Sequence, residues 1–139
     1  MTTPLSIRFD PELLDRLRRT AAGRDTTPSG LAQRLVDEGL RAQEFAGVVF
    51  RDGPAGRRAA LAAGPDIWEI AAALRDSGLR GDEAIDVVAD DLDLSPARVR
   101  IALAYYGAHS AEIDDEIADN ERAAEAALRS WESQRRLLA

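Results

Sequence analysis

A five-residue alternation near the start of the chain, Leu5-Ser6-Ile7-Arg8-Phe9, limits the possible folds more than any other feature. As a strand it turns Leu5, Ile7 and Phe9 to one face and Ser6 and Arg8 to the other. The rest of the segment 1–45 has the periodicity of helices and offers no second strand. A lone strand leaves backbone donors and acceptors unpaired along both edges, and about 45 residues is small for an independent core. The strand therefore needs a neighbour, and the nearest candidate is its own copy in a second chain. The alternative is that it joins a sheet elsewhere in the same chain.

Helix signals follow at once. Asp10-Pro11 is an N-cap followed by proline at the first helical position, where the missing N–H costs nothing. Phe9 and Leu14 can form a hydrophobic staple, Leu14, Leu17 and Ala21 recur at helical spacing, and Gly23 ends the run, which predicts a helix over 11–22. Thr27 caps a second helix with Pro28 at its first position, and Leu31, Leu35 and Leu40 form its buried stripe to about Phe45. Gly30 is a poor helix former, but it leaves the amides of Ser29 and Gly30 open to close approach, which is how a helix N-terminus takes an anion. Thr-Pro-Ser-Gly would serve equally as a turn with a cap.

Strand, Asp-Pro start, helix, a polar turn rich in Thr and Ser, and a second helix, all in one short segment, resemble the ribbon-helix-helix family of Arc and MetJ-like repressors and antitoxins. The resemblance implies a dimer whose paired strands form an antiparallel ribbon in the DNA major groove, with a phosphate held at the second helix's N-terminus. Carried onto this sequence, it implies groove-facing Pro4, Ser6 and Arg8, and a phosphate site at the backbone of Thr27, Ser29 and Gly30. The implied dimer core is Leu5, Ile7, Phe9, Leu14, Leu17, Leu31 and Leu35. Pro4 departs from the family, which places a polar or basic side chain there, so base reading would fall to Ser6 and Arg8 with help from Thr2 or Thr3.

Charge is unevenly spread. All 18 basic residues are arginine, and the net charge is -7. Residues 1–45 hold seven Arg against seven Asp and Glu, whereas residues 82–139 hold six against fourteen. Nucleic acid would therefore meet the neutral N-terminal part and not the acidic C-terminal part. The absence of cysteine excludes disulfides and thiolate chemistry. Charges near the N-terminus break the apolar run a signal peptide needs, no stretch approaches a membrane span, and the expected location is cytoplasmic.

Beyond Phe45, Val48 to Arg51 and Arg57 to Leu61 flank Asp52-Gly53-Pro54-Ala55-Gly56 and predict a small hairpin, although Arg57 to Ala63 would also pass for a short helix. Three amphipathic helices follow. Asp66 and Glu69 have the capping-box spacing, Asp82 opens the second helix, and Ser95-Pro96 opens the third. The last two, joined through Asp93 to Ser95, have a helix-turn-helix outline in which Arg98 and Arg100 would read DNA, but Asp86, Asp90, Asp91 and Asp93 would repel phosphate. Packing is the favoured role. The pattern over 46–118 resembles a small helix-turn-helix family encoded beside PIN-like ribonuclease toxins.

From Ser110 the chain reads as one helix of about 43 Å. Its apolar stripe, Ile113, Ile117, Ala124, Ala127, Trp131 and Leu138, is thin, so a partner is expected to order it. Trp131, Leu137 and Leu138 are interface anchors, with Arg135 and Arg136 between them. The alternative is a solvated helix whose Trp packs back on its own domain.

No nucleophile has a visible base partner, no phosphate loop is present, and His109, the single histidine, falls at a helix end. The acidic clusters lack metal-ligand spacing. No catalytic residue, metal or cofactor is expected, and the chain is read as a non-enzyme.

The expected fold is mainly α, with a ribbon-helix-helix domain at 1–45, a hairpin plus helix-turn-helix-like domain at 46–109 and a helical arm at 110–139. The expected function is that of a VapB-type antitoxin, binding operator double-stranded DNA as a homodimer and neutralising a PIN-like toxin through Trp131, Arg135, Arg136, Leu137 and Leu138. An arginine placed among such a toxin's carboxylates would neutralise them, which singles out Arg135 or Arg136. The acidic face of 82–121 would meet a basic surface of the toxin. The alternatives are a stand-alone repressor sensing a small ligand beside Trp68, Tyr105 and Tyr106, and an interaction homodimer that touches no DNA.

Overall fold

A computed structural model describes all residues 1–139 as six helices and one two-stranded sheet: α1 (Pro11–Gly23), α2 (Pro28–Glu44), β1 (Val48–Gly53), β2 (Gly56–Leu61), α3 (Ile67–Asp76), α4 (Gly81–Asp91), α5 (Pro96–Ala108) and α6 (Ser110–Leu138). The chain divides into two compact units, Met1–Arg41 and Ala42–Ala139. No helix is long and apolar enough to cross a membrane.

In the first unit, the segment before α1 has no regular structure and is exposed throughout. The strand expected at Leu5 to Phe9 is therefore not formed within one chain. It has no neighbour to bond to, since the sheet contains β1 and β2 alone. Joining a sheet elsewhere in the same chain is ruled out by the same fact. Asp10 caps α1, accepting from the Leu13 amide at 3.4 Å, with Pro11 at the first position as its missing N–H allows. The two helices bury little. Ala21 and Leu31 are fully buried, Leu14 and Leu17 half-buried, and Leu35 and Leu40 stay exposed.

The second unit has a continuous core. β1 and β2 pair antiparallel with Val48 opposite Leu61 and Gly53 opposite Gly56, so the turn is Pro54-Ala55, tighter than the five-residue loop the sequence suggested. Gly56, the first strand residue after the turn, takes a positive φ of 110°, a conformation that residues with a side chain rarely adopt. Val48, Ala59 and Leu61 of the hairpin form one core with Ile67 and Ile70 of α3, Ile85, Val88 and Ala89 of α4, Val99, Ala102 and Tyr105 of α5, and Ile113 and Ile117 of α6. Two caps fix where the helices start. Glu69 reaches back to the Asp66 amide at 2.9 Å, and Ser95 accepts from the Arg98 amide at 3.3 Å beside Pro96. The first two turns of α6 are thus part of this core, since a fully buried isoleucine is worth roughly 1.5–3 kcal/mol. From Asn120 onward every residue of α6 is exposed.

Candidate nucleic-acid interface and C-terminal arm

The groove-facing candidates Pro4, Ser6 and Arg8 lie together on the irregular N-terminal segment, all exposed. Their apolar alternates are exposed as well: Leu5 is 81% accessible, Ile7 57% and Phe9 36%. Leu13, Leu35, Val36 and Leu40 extend the uncovered apolar surface onto α1 and α2. Of the dimer-core candidates, one chain buries Leu31, half-buries Leu14 and Leu17, and leaves Leu5, Ile7, Phe9 and Leu35 open.

At the start of α2, Thr27 Oγ1 accepts the Gly30 amide at 3.0 Å. This corrects the expectation that both amides are open: the cap uses Gly30 and leaves Ser29. A Cβ on residue 30 would stand 3.0 Å from Thr27 Oγ1 and 3.4 Å from Thr26 Oγ1, so glycine makes room for the capping hydroxyl. The first turn of α2 contains no acidic residue, which keeps the positive end of its dipole available to an anion. Sequence reasoning passed over the arginines of α1. Arg16 and Arg19 line a shallow depression with Thr20, and Arg19 pairs with Asp15 at 3.2 Å on the exposed surface. Their spacing of three along one helix was the signal that could have found them.

The helix-turn-helix candidates are committed to their own domain. Arg98 donates to the Ala62 carbonyl beyond β2, and Arg100 pairs with Asp82 of α4 at 2.9 Å. Several of the acids over 82–121 are likewise engaged: Tyr105 Oη donates to Glu112 at 2.7 Å, Tyr106 Oη to Asp114 at 2.8 Å, and Arg75 to Glu121 at 2.8 Å. The bond to Asp114 pushes the Tyr106 phenol above its usual range. Asp86, Asp90 and Asp115 remain on the surface.

Trp68, Tyr105 and Tyr106 do not form one pocket. Tyr105 is fully buried in the core, edge-on to Phe45 at 5.3 Å and tilted against the His109 ring at 4.6 Å. Tyr106 lines an apolar cavity of about 430 Å³ between α3, α4, α5 and α6, whereas Trp68 lines a different one beside the hairpin turn. His109 ends α5, its amide donating to the carbonyls of Tyr105 and Tyr106.

Along the free half of α6, Trp131 is 52% accessible and Leu137 and Leu138 86% each. The Arg135 guanidinium lies over the Trp131 ring at 4.8 Å, a cation–π pair one helical turn apart. Arg136 Nη2 donates to Ser133 Oγ at 3.3 Å. Leu128, also exposed and one turn before Trp131, belongs to the same apolar strip and was missed in the sequence because Ala124 and Ala127 fit the stripe equally well. No family model matches this chain, and neither a curated protein nor a solved structure similar to it is found.

Proposed function

We propose that two copies of this chain pair their N-terminal segments into a β-ribbon that binds operator DNA, and that the arm beyond Asn120 covers a PIN-like ribonuclease toxin, making the protein a non-enzymatic VapB-type antitoxin. One observation carries the reading: Leu5, Ile7 and Phe9 alternate along a segment without backbone partners and stay uncovered, together with Leu13, Leu35, Val36 and Leu40. At about 25 cal/mol per Å², covering such a surface favours association, and a strand-forming segment with two open edges supplies the geometry for it. In the ribbon, Ser6 and Arg8 face outward from the buried side and meet base edges, with Pro4 beside them. Thr27, Ser29 and the first turn of α2 meet the backbone phosphate, chiefly through the Ser29 amide.

The arm's free half supports the second element. Trp131, Leu137 and Leu138 are exposed anchors, Trp131 contacted on one face by Arg135, and Arg135 and Arg136 carry positive charge to an acidic nuclease site. The test is coexpression with the adjacent reading frame, followed by gel shift on the DNA upstream of both. A stable complex that retards this fragment supports the reading. Absence of both complex and shift contradicts it.

A further inference from the structure

The hairpin carries a pair of like charges that the proposed function does not use. Arg51 and Arg58 stand directly opposite each other in the β1–β2 register, and like charges across a strand pair are destabilising. Arg51 is compensated: its Nη2 donates to the Gly64 carbonyl at 2.7 Å and to Asp66 Oδ1 at 3.0 Å. The other oxygen of Asp66 accepts from Trp68 Nε1 at 3.2 Å, and Asp52 pairs with Arg57 at 3.3 Å. Arg58 is left out of this network. It is 9% exposed, its guanidinium stacks over the Trp68 ring at 5.8 Å, and it forms no ion pair. Glu116 on α6 feels its charge without pairing, and Glu116 Oε2 is itself buried without a hydrogen bond. Desolvation pushes the Glu116 carboxyl up to about 7, so it is an incomplete counter-charge near neutrality.

Arg58 opens into a cavity of about 370 Å³ whose wall includes Arg51, Asp66, Trp68, Asn120 and the turn from Gly53 to Gly56. This is the size of a small-molecule site. The Arg58 guanidinium reaches this cavity without an ion-pair partner, and its planar fork matches a carboxylate. With Asp66 paired to Arg51 and Asp52 to Arg57, the wall is left with the positive charge of Arg58, which matches a single negative charge better than a doubly charged phosphate. The Trp68 ring and Pro54 offer a flat apolar surface beside it.

We infer that this cavity binds a small monocarboxylate with a flat apolar body, its carboxylate on Arg58 and its body against Trp68. The site lies in the second unit and is independent of DNA binding. The probe is benzoate, titrated into the full chain bearing Trp131→Phe, so that fluorescence reports Trp68 alone. Saturable quenching is expected, with benzoate binding about tenfold or more tighter than its neutral isostere benzamide, because the charge-assisted hydrogen bonds are lost in the amide. Arg58→Gln should reduce benzoate to the benzamide level, with thermal unfolding checking that the variant folds. Should that variant unfold, the benzoate and benzamide comparison on the Arg58-containing chain still decides. No saturable response to benzoate, or equal affinity for benzamide, overturns the inference.

Discussion

Arg8 and Glu116 show how differently two single side chains can be read. In the proposed complex Arg8 faces a base edge, a contact typically worth about 1–3 kcal/mol, so Arg8→Ala should weaken specific DNA binding by roughly one to two decades in a fluorescence anisotropy titration. An unchanged affinity would remove Arg8 from the reading surface. Glu116 acts on stability. Its folded pKa of about 7 stands above the ordinary carboxyl value of 4.5, through burial first and then through Glu112, Asp66 and Asp119, against the opposing pull of Arg58. The folded state therefore holds this proton more tightly than the unfolded state. The stabilisation is complete below the ordinary value and is lost as pH rises through about 7. Because the group is half-exposed, solvent screening limits the effect to about 1 kcal/mol or less. Glu116→Gln should raise the thermal midpoint at mildly alkaline pH by a few degrees and flatten its fall between acid and alkaline buffer. An equally steep fall in the variant would assign the pH dependence to other groups. Nothing in the sequence marked Glu116 out, because its burial and the neighbourhood of Arg58 arise only when α6 meets the hairpin.

Among the elements, those opened by a proline and a capping side chain were legible from sequence. α1, α2 and α5 begin at Pro11, Pro28 and Pro96, just after Asp10, Thr27 and Ser95. These signals are local and act through the backbone of one turn. β2 was ambiguous for a physical reason. Arg58 to Leu61 are all buried, so the strand lacks the alternation that separates strand from helix. The first turns of the arm belong to the core through Ile113 and Ile117 and do not wait for a partner to order them, which only a three-dimensional core reveals. Its remaining length stands free, which makes a sharp prediction. Deleting residues 121–139 removes the Arg75–Glu121 and Arg122–Asp119 pairs, whose side chains are all half-exposed or more, and no buried side chain. Exposed pairs such as these are screened by solvent and contribute little. The truncated protein should therefore unfold cooperatively near the full-length midpoint, while binding to the adjacent gene product is lost. Full affinity after truncation would take the arm out of the mechanism.

At the scale of the molecule, the two units are stabilised unequally. Residues 42–139 close a core around Tyr105, Ile67, Ile70 and Ile113, whereas residues 1–41 bury Ala21 and Leu31 and expose the alternating Leu5, Ile7 and Phe9. A unit of about 40 residues at this level of burial is marginal alone, and in the proposed dimer a second copy supplies what it lacks by covering the apolar strip and bonding the open backbone edges. The proposed DNA-binding surface depends on that proposed association, since neither half-ribbon presents a groove-reading face by itself. Sedimentation equilibrium at micromolar concentration measures it directly, with Ile7→Asp as the comparison. The natural sequence should sediment with twice the mass of one chain and shift to the single-chain mass when the charge is placed in the strip. A single-chain mass for the natural sequence, or a dimer indifferent to Ile7→Asp, would contradict the proposed association.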